Sequence, residues 1–169
     1  MITTPEPKKR GSQRSRRAAA RLAAVQALYQ VDLTAAEPAK VIAEFRQHRI
    51  DSDGGIKADR DFFGEIVEGV SARREEIDAL LTRLLAEGWA LPRLETVLRA
   101  ILRAGAFELL ARGDVPARVV IDEYVNVARA FFSDKEPGVV NGILDRLAHS
   151  LRAEEFEDQT RAAEDTTDR

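Results

Sequence analysis

The chain has 169 residues, 44% hydrophobic and 33% charged, which suits one domain with a core of useful size. It contains no cysteine, which excludes disulfides, thiolate metal sites and a cysteine nucleophile and fits a reducing, cytoplasmic setting. No apolar run approaches the ~20 residues of a membrane span, and the net charge of −3 hides an uneven distribution: seven basic residues and no acid from Lys8 to Arg21, seven acids and one Arg from Glu154 to Asp168.

Residues 1–13 read as a flexible basic leader, and residues 14–151 as a helical domain. The first helix is expected from Arg14 to Leu33, with Leu22, Val25, Tyr29 and Leu33 at the three-and-four spacing of a buried face. Tyr29 on that stripe reads as a packing residue, with base stacking as the other reading. Four prolines mark helix starts, because proline lacks an N–H that the first helical position does not need. A short helix from Pro38 carries Ile42 and Phe45 inward. The run Asp51-Ser-Asp-Gly-Gly is a loop.

A long helix is expected from Asp59 to Leu85, with Phe63, Ile66, Val70, Ile77, Leu81 and Leu84 inward and Gly69 as a kink. Trp89 opens a connector, dividing the domain into halves of about 14–88 and 89–151. The helices from Pro92, Pro116 and Pro137 follow, carrying Val97, Ile101 and Leu109, then Val120, Tyr124, Val127 and Phe131, then Val140, Leu144, Leu147 and Leu151. Beyond Arg152 only Phe156 is large and apolar, so residues 152–169 read as an acidic tail that does not pack. With no useful strand alternation, the fold class is all-α.

Catalytic patterns are absent. His48 and His149 stand far apart, outside any metal-ligand spacing, and no phosphate-binding loop or nucleophile elbow occurs. No enzyme activity, cofactor or metal is expected. Arg10, Arg14, Arg17 and Arg21 fall on one helical stripe beside the core face, where guanidinium groups suit phosphate oxygens. The bland alternative is a solvated helix start. Glu108 falls on the buried stripe of its helix and needs donors. The free N–H groups after Pro116 are the expected source, making Glu108 a structural clamp rather than a binding contact. Asn141-Gly142 inside the last helix suggests close helix approach, with Asn141 bonding a neighbour.

Four blocks carry a resemblance: Arg21-Leu-Ala-Ala-Val-Gln-Ala-Leu-Tyr29, Leu98-Arg-Ala-Ile-Leu-Arg-Ala-Gly-Ala-Phe-Glu-Leu109, Val115-Pro-Ala-Arg-Val-Val-Ile-Asp-Glu-Tyr-Val125 and Val140-Asn-Gly-Ile-Leu-Asp-Arg146. In this order and spacing they resemble the NusB family of transcription antitermination factors, over roughly Arg16 to Leu151. The resemblance implies two packed helical bundles. It also implies binding to boxA-type single-stranded RNA of ribosomal RNA leaders, together with the ribosomal protein NusE, so that RNA polymerase reads through terminators. Arg16, Arg17 and Arg21, with Arg14 beside them, match the arginine-rich RNA-binding start. Leu98, Arg99 and Arg103, with the loop Asp134-Lys135-Glu136, correspond to the NusE surface. Val139 stands where the family often has Phe, so any stacking by that aromatic is lost. The resemblance leaves monomer or homodimer open, and a helical protein-interaction adaptor without RNA binding is the alternative function.

Overall fold

In the computed structural model, which describes residues 11–50, 57–157 and 161, the described residues form seven main α-helices, one short 3₁₀ turn and a further helical turn over 153–157. They are α1 (Gln13–Thr34), α2 (Pro38–His48), α3 (Arg60–Ala72), α4 (Arg74–Leu84), α5 (Thr96–Ala111), α6 (Ala117–Phe131) and α7 (Glu136–Leu151). Pro38 opens α2, Pro116 caps α6 and Pro137 lies in the first turn of α7, as the proline rule requires. Among the described residues there is no strand, and no helix is long and apolar enough to cross a membrane. The leader through Arg10, the Asp51–Gly55 loop and most of the acidic tail lie outside the described residues.

Helix α5 is the hub, packing on α1, α3, α4, α6 and α7. Helices α1, α2 and α3 form one group and α6 and α7 the other; α4, which precedes Trp89, packs on α5 and α7 as well as on α3. One continuous apolar core runs through both groups, from Phe45, Phe63 and Ile66 to Ile101, Ile121 and Leu144.

Two element boundaries and the role of one glycine differ from the sequence expectation. The long helix divides at Arg73, whose φ of −111° and ψ of 22° leave the helical well. Just before it, Ser71 Oγ donates to the Val67 carbonyl at 2.8 Å, a side-chain bond that competes with the backbone ladder. Gly69 is not the kink. A Cβ there would stand 2.2 Å from the Phe107 ring, so this glycine is the slot into which α5 presses Phe107. Pro92 sits in the 3₁₀ turn Leu91–Arg93, and Leu94 returns to extended backbone before α5 begins at Thr96.

The buried face of α1 is also rotated from the expected one. Val25 is buried as expected and Leu22 partly so, but Ala20, Arg21, Ala24, Ala27 and Leu28 complete the inward face, while Tyr29 is exposed and Leu33 is 58% exposed. Alanines let α3 and α5 approach closely, and the larger side chains are left at the rim. Gly142 is not a close-approach site, since a Cβ there would meet nothing within 4 Å, and Asn141 is exposed rather than turned to a neighbouring helix. The close approach between helices is at Gly105, where a Cβ would stand 2.7 Å from Leu144 of α7.

The start of the tail packs, contrary to expectation. Arg152 is buried, and its guanidinium donates to the carbonyls of Glu108, Leu109, Arg112 and Val115 at the end of α5 and in the loop after it, of which those of Glu108 and Arg112 also accept a backbone N–H. Glu155 receives Arg152 at 3.1 Å and accepts the Ala117 N–H at 2.8 Å, capping α6 from outside. Phe156 stacks on His149 with ring centroids 3.7 Å apart. Arg152→Ala should therefore lower stability by about 1–3 kcal/mol, because buried carbonyls lose their donor. Truncation after Leu151 should cost at least as much, and denaturant midpoints of the two variants check both.

Candidate nucleic-acid interface

Helix α1 starts at Ser12, whose Oγ accepts the Ser15 N–H at 3.1 Å. No acid stands in its first turn, so any carboxylate that meets its arginines comes from another helix. Arg10 lies outside the described residues; the rest of the expected stripe runs from solvent into the core. Arg14 is 85% exposed, and its Nε lies 3.7 Å from Glu123 of α6. Arg17 is half-buried, its guanidinium 5.2 Å from the centre of the Phe62 ring. Arg21 is 2% exposed.

Burial of Arg21 overturns its expected place in a projecting row. Its Nε and Nη2 donate to the two Glu108 carboxylate oxygens at 2.8 and 2.9 Å, and Glu108 is fully buried. Burial disfavours the charge on Arg21, but the hydrogen bonds and charge of Glu108 outweigh it and raise the guanidinium pKa above its ordinary value. Glu123 lies 3.9 Å away, and Tyr124 packs beside the pair with its phenol pKa raised by burial and by the Glu108 carboxylate. Glu108 is thus buried as expected but with a different donor: Arg21 serves it, while Glu155 serves the start of α6.

Phe62 was not anticipated from the sequence, which placed only its neighbour Phe63 inward, yet both are buried in the same core. The buried Phe62 ring is approached by Arg17, Arg21 and Arg112 at 5.2, 5.0 and 5.1 Å. Arg112 is fully engaged with Asp114 at 2.8 and 2.9 Å and with Glu65 at 2.7 Å. Those bonds hold its own pKa up and draw the Asp114 carboxyl down to about 2. Arg16 and Arg17 differ. Among the described residues neither forms an ion pair, and the Nε of each is buried without a hydrogen-bond partner. The Arg16 carbonyl accepts the Asp59 N–H at 3.0 Å, which fixes this turn of α1 against the start of α3.

Of the residues expected to meet a protein partner, three are internal. Leu98 is buried. Arg103 is buried and paired with Asp78 at 2.8 and 2.9 Å. Arg99 binds Asp32 at 2.6 Å and the carbonyls of Pro92 and Leu94 at 3.1 and 3.2 Å, tying down the connector before α5. These contacts occupy the groups a partner would need. Asp134 and Lys135 are exposed, and Glu136 is half-buried. The exposed apolar surface lies instead in a groove with Tyr29, Leu33, Val97 and Phe131 on its walls, another feature not anticipated from the sequence. No cluster of potential metal ligands occurs among the described residues.

This geometry defines an all-α protein of two helical groups sharing one hub helix, with unpaired arginines at the start of its first helix and no catalytic constellation among the described residues. The NusB family model matches residues 18–149, and the chain belongs to the NusB family. It is 53% identical over 140 residues to the transcription antitermination protein NusB of Sphingopyxis alaskensis, covering 80% of this chain and 94% of that one. It is 47% identical over 160 residues to the protein of that name from Sinorhizobium fredii, covering 91% and 98%. Among solved structures, NusB of T. maritima superposes with a TM-score of 0.71 at 31% identity, over 83% of this chain and 96% of that one. A crystal structure of the antitermination factors NusB and NusE with double-stranded RNA gives 0.68 at 25% identity, over 80% and 98%.

Asp32 supplies a pH prediction. Burial favours its neutral form, but hydrogen bonds from Arg99, with Arg103 and Arg74 nearby, win and lower its pKa. A depressed folded pKa stabilises the fold above the unfolded value, and that stability is lost as pH falls through the folded one. Asp32→Asn should therefore cost on the order of 1–2 kcal/mol at pH 7. The difference in stability between the parent and this variant should close below about pH 4, as read from melting curves across the acid range.

Proposed function

We propose that the protein is a cytoplasmic antitermination factor that binds boxA-type single-stranded RNA of ribosomal RNA leaders together with the ribosomal protein NusE. In that assembly it helps RNA polymerase read through terminators. The observation that carries the RNA part is the start of α1, where Arg16 and Arg17 form no ion pair and Arg14 stands in solvent. Guanidinium donors held in no ion pair, as at Arg16 and Arg17, are suited to phosphate oxygens. Membership of the NusB family supports the reading, as does the likeness to a NusB solved with NusE and RNA. For the protein partner, the groove of Tyr29, Leu33 and Phe131 replaces Leu98, Arg99 and Arg103 as the docking surface, because it holds exposed apolar side chains that are not committed inside the fold.

Arg16→Ala with Arg17→Ala should weaken binding to labelled boxA-type RNA without unfolding the protein. For single strands the slope of log affinity against log salt should flatten by about 1.4 when two phosphate contacts are lost. Leu33→Asp should leave that RNA titration nearly unchanged but weaken capture of purified NusE. An unchanged RNA affinity and slope in the double arginine variant, with the helical circular dichroism intact, would exclude the arginine start as the RNA site.

A further inference from the structure

Trp89 is the chain's sole tryptophan, and it is 40% exposed. A turn after α4 presents it: Gly88 takes a φ of 85°, and the Trp89 N–H donates to the Ala86 carbonyl at 2.9 Å. The indole forms one wall of a depression whose other wall is the first half of α7. Lys135 Nζ lies 5.8 Å from the ring centre, and Arg146 stands on the same rim with its Nε donating to the Gly142 carbonyl at 3.3 Å. Neither cation is ion-paired among the described residues, and no acid lines the depression. Gly138 and Gly142 leave its floor open, since a Cβ at either would meet nothing within 4 Å.

This depression does not stand alone. Gly138 is also a wall of the neighbouring one, where Arg14, Arg129, Asn126 and Asn141 stand with a single acid, Asp122. The surface therefore continues from the exposed arginine of α1, across the first turns of α7, to Trp89.

We propose that Trp89 is a stacking platform for one unpaired nucleobase of the bound RNA, with Lys135 and Arg146 meeting its flanking phosphates. The inference rests on the RNA-binding reading of α1 and extends the path of the strand from there. An aromatic face in a depression with two cations that form no ion pair matches a nucleotide, which presents a flat ring and an anionic backbone together. Continuity with Arg14 favours RNA over a protein partner for this surface.

The full-length protein carries its own probe, because its tryptophan fluorescence arises from Trp89 alone. Titration with a boxA-type single-stranded RNA should quench that emission. Abasic nucleotides placed one at a time along the RNA should abolish the quenching at a single position. In anisotropy titrations with labelled RNA, Trp89→Ala should weaken binding by about 5- to 100-fold, and Trp89→Phe should retain most of the affinity. Lys135→Ala with Arg146→Ala should flatten the salt slope by about 1.4. RNA that binds without changing the emission, with Trp89→Ala binding as the parent does, overturns the platform and leaves the α1 reading intact. Quenching by NusE but not by RNA overturns it in favour of a protein surface. A parent protein that binds no RNA overturns both.

Discussion

The bidentate contact between Arg21 and Glu108 is the constraint on which the arrangement of this protein turns. A guanidinium and a carboxylate removed from water cost several kcal/mol each unless they meet in good geometry. Here both oxygens of Glu108 receive N–H donors from one arginine, at 2.8 and 2.9 Å. That requirement sets the rotation of α1 on α5, since any other rotation would leave two buried charges unpaired. It also sets what α1 shows to solvent. With Arg21 turned inward, Arg17 lies over Phe62 at the edge of the core and Arg14 stands outside. The interior pair thus aims the exterior arginines.

Arginines in this chain divide by what they touch. Arg152 gathers the carbonyls at the end of α5, Arg99 gathers those of the connector before it, and Arg103 joins α5 to Asp78 of α4. Each uses the planar fork of donors to satisfy several acceptors at once, which a lysine could not do. All three serve α5, the helix that every element of the two groups except α2 packs against. What remains for ligands includes Arg16 and Arg17, which form no ion pair, and the exposed Arg14, whose contact with Glu123 is a loose 3.7 Å, at one end of the surface, with Lys135 and Arg146 toward the other. The apolar groove at Tyr29, Leu33 and Phe131 is a separate surface, on the second half of α1. Two ligands can therefore be held without competing for the same side chains.

Much of the fold is legible in the sequence, and the failures have physical causes. Pro38, Pro116 and Pro137 mark real helix starts because their missing N–H is harmless only there. Apolar spacing places Phe63, Ile66, Ile77 and Leu81 correctly, as it does Ile101, Tyr124 and Leu144. On α1 it is right for Val25 but wrong for Tyr29 and Leu33, because a helix packed through alanines buries its small side chains and leaves those two at the rim. Arg21 reads as a surface cation because that is the ordinary habit of its residue type. A signal does exist: Glu108 on a buried stripe demands a donor, and a cation flanked by Ala20 and Leu22 is a candidate to supply it. The role of Arg152 is not legible, since its acceptors are carbonyls up to 44 residues away in sequence, and carbonyls carry no sequence signature.

The central claim is that Arg21 holds the fold together and does not itself contact RNA. It is tested most directly by comparing Arg21→Met, Glu108→Met and the double variant in both unfolding and RNA titration. Each single variant strands one buried charge and should lose on the order of 3–5 kcal/mol, whereas the double variant should recover most of that loss. The recovered double variant should bind boxA-type RNA with the affinity and salt slope of the parent. A double variant that is stable and folded, yet binds RNA more weakly with a slope flattened by about 0.7, would show that Arg21 contacts a phosphate and would contradict the account.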